Sequence, residues 1–176
     1  MKYLITGGAG FIGSNLTNSL LKRGDNVVIF DNLLRSGSRH NLAWLQKSHG
    51  DKLKLKNGDM KSGYSDLLKL AKEVDVVIHL AAQVAVTTSV QNPRNDFEIN
   101  AMGTFNLLEA VRNSGNNPIV IYSSTNKVYG QLDDLDIKET KTSYEFSYMK
   151  WGVSEERSLD FHSPYGCSKG AAEQYV

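Results

Sequence analysis

Long apolar runs are missing from this chain. No stretch approaches the roughly 18–20 apolar residues that a membrane-spanning helix needs. Only Tyr3-Leu4-Ile5 precedes Thr6 and the glycines, which is too short for the apolar core of a secretory signal. Cysteine is nearly absent: Cys167 stands alone, so no internal disulfide can form and a reducing compartment is expected. An excess of either charge is also absent. Twenty basic residues face 19 acidic ones, which leaves no field to attract nucleic acid or a membrane surface. There is no internal repeat and no low-complexity tract. The 176 residues amount to about one domain.

What is present is organised around Lys2 to Asp31. Tyr3-Leu4-Ile5 suits a short buried strand. Gly7, Gly10 and Gly13 follow at G-x-x-G-x-x-G spacing, and Phe11, Ile12, Leu16, Leu20 and Leu21 then recur with a helical period. Val27 to Phe30 reads as a second buried strand ending on Asp31. A tight strand-to-helix turn favours glycine, because other side chains resist positive φ. Without a side chain the backbone can approach a pyrophosphate, and the helix N-terminus offers that anion free N–H groups and a positive dipole end. Gly13 is expected to let the helix pack closely on the strand. A carboxylate about 20 residues on accepts hydrogen bonds from the adenosine ribose hydroxyls, and Asp31 stands there.

The loop from Asn32 to Ser38 falls at the adenosine end. Arg35 in it would suit a 2′-phosphate and hence NADP, whereas the charge of Asp31 would repel one, so NAD is the expected cofactor. Asn41 to Lys47 reads as a short helix. Lys52 to Lys56 alternates as a half-buried strand near a sheet edge, ending at Gly58-Asp59-Met60. Asp59 either accepts from the adenine amino group or caps the next helix, Tyr64 to Lys72. Asp75 to Leu80 is a buried strand, with His79 inside it as a packed, hydrogen-bonded residue. Ala81-Ala82-Gln83 follow, small enough at first to let a flat cofactor lie across the strand end.

Pro93 to Asn113 reads as one long helix. Phe97, Ala101, Thr104, Leu107, Leu108 and Val111 form its apolar side, and Asn100 is a polar residue that supports the site. Pro118 to Tyr122 is a fifth strand running into Ser123-Ser124-Thr125, hydroxyls on the ligand side of such a sheet. Thr125 is the candidate to bind a reacting sugar hydroxyl. Residues 131–162 lack periodicity and read as an active-site loop. Ser163 then caps a helix with Pro164 in its first turn. Tyr165 and Lys169, four apart, share one face of that helix, while Cys167 points elsewhere and reads as packing. A free phenol, titrating near 10, is a poor base at neutral pH. A nearby ammonium and an oxidised nicotinamide favour the phenolate, which can accept a sugar hydroxyl's proton as a hydride leaves the same carbon.

Taken together, Gly7/Gly10/Gly13, Asp31, Thr125 and Tyr165/Lys169 resemble the extended short-chain dehydrogenases/reductases, specifically the NAD-dependent nucleotide-sugar epimerases and dehydratases. The resemblance covers essentially the whole chain. Several stretches, among them Ser123 to Gly130 and Leu159 to Ala171, resemble a subgroup that epimerises C2 of CDP-linked dideoxy sugars. The resemblance implies an α/β Rossmann-like doubly wound parallel sheet with helices on both faces. It also implies bound NAD, a nucleotide-sugar substrate with CDP expected, and a homo-oligomeric full-length enzyme. Dehydratases of the family carry an Asp-Glu pair after the threonine. Asn126 and Lys127 stand there instead, which favours epimerisation, of the C2 type or of the UDP-galactose 4-epimerase type. A non-catalytic dinucleotide-binding module is the other class left open. Relatives run to about twice this length, so residues 1–176 are expected to be the NAD-binding domain of a longer enzyme, cut before its substrate domain. That cut is expected to expose apolar surface near Ala171, Ala172 and Tyr175.

The site so read has Thr125, Tyr165 and Lys169 as catalytic residues. The cofactor set is Gly7, Gly10, Phe11, Ile12, Gly13, Asp31, Asn32, Arg35, Asp59, Met60, Leu80, Ala81, Ala82, Gln83, Asn100, Tyr165 and Lys169. No residue is assigned to a metal.

Overall fold

In the computed structural model, which describes residues 1–176, five parallel strands form one sheet. β1 (Lys2–Thr6), β2 (Asn26–Asp31), β3 (Leu53–Asn57), β4 (Val76–His79) and β5 (Ile119–Tyr122) stand in the order β3-β2-β1-β4-β5. The chain winds outward from β1 in one direction and then in the other. The strand order therefore reverses between β1 and β4, where a crevice opens at the strands' C-terminal ends. Registers are unshifted: Thr6 sits beside Phe30 on one side and His79 on the other.

Helices cover both faces, which is why the inner strands are nearly continuous apolar runs. Alternate side chains leave a strand on opposite faces, and the core divides accordingly. Tyr3, Ile5, Val27, Val76 and Ile78 pack with Leu20 and Leu21 of α1 (Phe11–Lys22). Leu4, Phe30 and Val77 pack on the other face with Leu67 of α3 (Tyr64–Ala71) and with Leu107 and Ala110. Residue pairs of opposite parity thus serve two half-cores, and burying each large apolar side chain contributes about 1.5–3 kcal/mol. The second helix, α2 (Ser38–His49), is longer at both ends than its apolar spacing predicts.

Three segments differ from the sequence expectation. A short helix α4 (Val86–Gln91) precedes α5 (Pro93–Phe97). The helix expected over Pro93–Asn113 is not uniform: a π turn, Glu98–Met102, separates α5 from α6 (Gly103–Ser114). The wider turn changes the helical phase. It leaves Phe97 half exposed at 51% while burying Asp96, Asn100 and Thr104, so an apolar stripe counted at constant pitch misplaces Phe97. Residues 131–162 hold a small antiparallel hairpin, β6 (Ile137–Glu139) with β7 (Tyr144–Phe146). The segment closes on itself, since Tyr129 pairs with Asp160 and the Asp160 N–H donates to the Val128 carbonyl at 2.8 Å.

The last helix, α7 (Pro164–Tyr175), starts as its sequence predicts. Ser163 Oγ accepts from the Gly166 N–H at 3.0 Å, and Pro164 occupies the first turn. Tyr175 is exposed as expected, but Ala172 is buried, so the apolar exposure is confined to the helix end. Cys167 lies on the exposed side of α7, not in packing: two residues from Tyr165, it faces roughly away from the buried side. β5, at the sheet edge, leaves Ile119 and Ile121 exposed. No helix is long and apolar enough to cross a membrane.

Candidate functional site

A cleft of about 640 Å³ opens along the C-terminal ends of the strands, over the point where their order reverses. Its floor is the glycine turn. Gly7 has φ +68°, and a Cβ there would lie 2.7 Å from the Ala81 nitrogen, so β1 and the chain after β4 approach backbone to backbone. Gly13 is required for a related reason, though not the one its spacing suggests. A Cβ on it would collide with the Gly7 carbonyl oxygen and come within 2.7 Å of the Gly8 Cα, so it packs on the turn and not on the strand. Gly10 is the helix cap with no side chain to satisfy the first N–H groups of α1. Those groups face the cleft as donors for an anion.

The adenosine end is built by acidic and amide side chains. Asp31 is buried at the end of β2; Oδ2 accepts from the Ala9 N–H at 3.0 Å and Oδ1 from the Leu33 N–H at 2.8 Å. One carboxylate thus fixes both the glycine turn and the next loop, where Leu33 is held at φ 56°, unusual for a residue with a side chain. Each oxygen keeps a lone pair for a hydroxyl donor. Asp59 does not cap α3, whose cap position is Gly63. It accepts instead from Asn32 Nδ2 at 3.0 Å and from the Lys61 N–H at 2.9 Å, joining the β2 and β3 ends. Arg35 is exposed at the rim.

At the other end stand Tyr165 and Lys169, both buried on one face of α7 and both lining the cleft. Lys169 Nζ donates to the Ser123 carbonyl at 2.5 Å and lies 4.0 Å from the Tyr122 ring centroid. Burial lowers its pKa to about 8, against the opposing pull of Glu173 and Asp96. Burial raises the Tyr122 phenol, helped by Glu173. The expected packed role of His79 holds. It is fully enclosed, with Nδ1 2.5 Å from Thr6 Oγ1 and Nε2 2.9 Å from Thr104 Oγ1. Burial, with a smaller effect from Lys169, drops it to about 3 and keeps it neutral.

Of the seventeen cofactor residues read from the sequence, Asn100 alone does not line the cleft. It is buried behind it, its Oδ1 accepting from the Gln83 N–H at 2.9 Å and its Nδ2 donating to Ser168 Oγ at 3.0 Å. Four residues from both Asp96 and Thr104, it shares their buried side of the helix. Thr125 lies just outside the lining, where it caps a 3₁₀ turn by accepting from the Lys127 N–H at 3.3 Å; Ser123 and Ser124 line the cleft in its place. No residue of 131–162 lines the cleft, because that segment is drawn back onto Val128–Gly130 by the Tyr129–Asp160 pairing. Sequence reasoning did not assign Thr88 of α4 or Ile99 of the π turn, nor Leu34, Ser38, Val84 and Ala85, which also line the cleft. No group of three or more His, Cys, Asp or Glu side chains stands together to hold a metal.

Comparison with known proteins agrees with this geometry. Over the whole chain it is 51% identical to CDP-paratose 2-epimerase of Salmonella typhi, covering 52% of that protein. The UDP-Glc/GlcNAc 4-epimerase structure from Campylobacter jejuni superposes with TM-score 0.79 at 31% identity, covering 99% of this chain and 47% of that one. The dTDP-glucose 4,6-dehydratase of Streptomyces venezuelae, solved with NAD and TYD bound, gives TM-score 0.79 at 29% identity, with 99% and 50% covered. The chain spans about half the length of the relatives it matches. The family model described as GDP-mannose 4,6 dehydratase matches residues 4–176, and the chain belongs to that family of nucleotide-sugar epimerases and dehydratases.

Proposed function

We propose that this chain carries the cofactor site and catalytic side chains of an NAD-dependent nucleotide-sugar epimerase that inverts C2 of a CDP-linked sugar. The observation that supports it most is the meeting, in one cleft, of the Gly7–Gly13 turn and Asp31 at one end with Tyr165 and Lys169 at the other. The 51% identity to CDP-paratose 2-epimerase favours the C2 reaction over the 4-epimerases, whose match is more distant. Asn126 and Lys127 after Thr125, in place of an acid pair, favour epimerisation over water elimination.

In this reading the N–H groups at the start of α1 hold the pyrophosphate, and Asp31 accepts from the adenosine ribose. NAD is preferred to NADP because the buried Asp31 charge would repel a 2′-phosphate, while Arg35 is too exposed to offset it. When bound, NAD supplies a reversible hydride acceptor. Tyr165 takes the proton of the C2 hydroxyl and later returns it. Lys169 spends one N–H on the Ser123 carbonyl and keeps two for the nicotinamide ribose and the phenol side of the cleft. Its positive charge stabilises the Tyr165 phenolate, the form that accepts that proton. Thr125, whose Oγ1 accepts from the backbone, has its own O–H free to orient the sugar hydroxyl.

Denaturing the purified protein and identifying the released dinucleotide by mass tests the cofactor. NAD is expected; NADP would overturn the Asp31 assignment. Offering CDP-paratose and UDP-glucose to the full-length polypeptide that carries this chain tests the reaction. C2 inversion of the CDP-sugar is expected, and turnover of UDP-glucose alone would replace it with a 4-epimerase.

A further inference from the structure

Behind the cleft lies a buried carboxylate that the proposed reaction does not use. Asp96, on α5, has no exposed surface. Its Oδ2 accepts from Ser168 Oγ at 2.5 Å, and its Oδ1 from Gln83 Nε2 at 2.9 Å and Asn100 Nδ2 at 3.2 Å. All three contacts are from donors, as an ionised carboxylate requires, and none is from a cation. An ion so placed carries a desolvation cost that neutral hydrogen bonds offset only in part. The groups it joins belong to the site: Gln83 lines the cleft, and Ser168 sits on α7 between Tyr165 and Lys169. Lys169 is the buried cation on that helix.

We infer that Asp96 is a positioning residue, tying the Gln83 turn to α7 through Ser168 and keeping a buried negative charge behind Lys169. This rests on the roles given above to Tyr165 and Lys169. Among the other groups around Lys169, Glu173 is the one that also brings a negative charge to bear on it, and its effect is the larger. Glu173, one turn on, is engaged by Ser124 Oγ at 2.5 Å. Tyr122 and Tyr165 are phenols, and His79 is held neutral. Glu98 of the π turn points to Lys61 and Arg94, at 3.8 Å each, and Lys127 is exposed. Asp96 and Glu173 are the two carboxylates that oppose the effect of burial on Lys169, and Asp96 alone is wholly enclosed.

Asp96→Asn separates charge from structure. The amide can turn its oxygen to Gln83 and Asn100 and its NH2 to Ser168, whose hydroxyl then donates to the Tyr165 carbonyl, 3.2 Å away. Each existing hydrogen bond has a replacement; the charge is lost and one amide N–H is added. The measurement is the titration of the Lys169 side chain by NMR in the lysine-labelled chain, with the signal identified by its loss in Lys169→Met. A folded spectrum with the Lys169 midpoint lowered by roughly half a unit or more, from about 8, is expected. An unchanged midpoint overturns the inference. Should Asp96→Asn fail to fold, the carboxyl carbon signal of Asp96 in the unaltered chain decides at pH 7: the shift of an ionised carboxylate supports the charge role, and that of a neutral acid overturns it. NAD titration on the same samples keeps the two readings apart. A chain that ignores NAD while its Lys169 responds to Asp96 loses the epimerase reading alone; one that binds NAD with an unresponsive Lys169 loses only the role of Asp96.

Discussion

The two ends of the cleft are built in opposite ways. The dinucleotide end is local. Gly7 to Asp31 spans one strand, one helix and one strand, and its key hydrogen bond, Ala9 to Asp31, crosses 22 residues. The catalytic end is gathered from afar. Lys169 meets the Ser123 carbonyl across 46 residues, Ser168 meets Asp96 across 72, and the Tyr165 N–H donates to Ser89 Oγ across 76. A local site is written as a motif because neighbouring residues have few ways to arrange themselves. A site gathered from distant segments depends on how helices pack, and no spacing rule encodes that.

The sharpest way to test the difference is to remove one chemical group from each end. At the catalytic end, Tyr165→Phe keeps the ring and its packing but loses the hydroxyl. Turnover by the full-length polypeptide should fall by about 10²–10⁴-fold, with NAD affinity little changed; steady-state kinetics beside calorimetric titration separate the two. At the dinucleotide end the expected loss is of structure. Gly13→Ala places a methyl against the Gly7 carbonyl, where backbone cannot yield cheaply. Urea denaturation should show roughly 1–3 kcal/mol of destabilisation, together with weakened NAD binding. Unchanged stability would mean that the turn is looser than its backbone contacts indicate.

Between the two ends, His79 provides a pH test. Its folded value, about 3, lies below the ordinary 6.5. The unfolded chain therefore binds an extra proton between those values, and stability is lost as pH falls from about 6.5 toward 3. The slope contributed is at most about 1.4 kcal/mol per pH unit. His79→Gln should be less stable at pH 7 by about 1–3 kcal/mol, because the Thr6 and Thr104 hydroxyls lose a fitted partner, and should lack that part of the slope. Equal acid slopes in the two proteins would count against a neutral buried ring. The smallest effect is expected at Cys167→Ser, on the open side of the catalytic helix. Stability should stay within about 0.5 kcal/mol and NAD binding should not change; a larger loss would mean that the thiol packs after all.

Much of the fold was legible. Apolar runs placed four of the five strands, Lys–Leu alternation placed β3, and the glycines and Asp31 marked the nucleotide end, because all these signals arise within a few residues. The Tyr165–Lys169 spacing put both side chains on one helix face, and packing buries that face. Phe97 was counted on the apolar side of one uniform helix, and the π turn at Glu98–Met102 changes that phase and leaves it half exposed. Thr125 was one residue past the hydroxyls that line the cleft. The hairpin in 131–162 was invisible because its strands are only three residues long and mostly exposed, so burial left no periodic trace.

By itself, then, the sequence determined the alternating half-cores, the glycine turn and the carboxylate that ends β2. Each follows from side-chain volume, φ freedom or charge acting over short separations. Only the tertiary structure decided that Asp96, Asn100 and Ser168 share one buried network, that Ser123 receives the Lys169 ammonium, and that His79 stays neutral. Those outcomes depend on which groups are enclosed together away from water, and enclosure is a property of the packed chain.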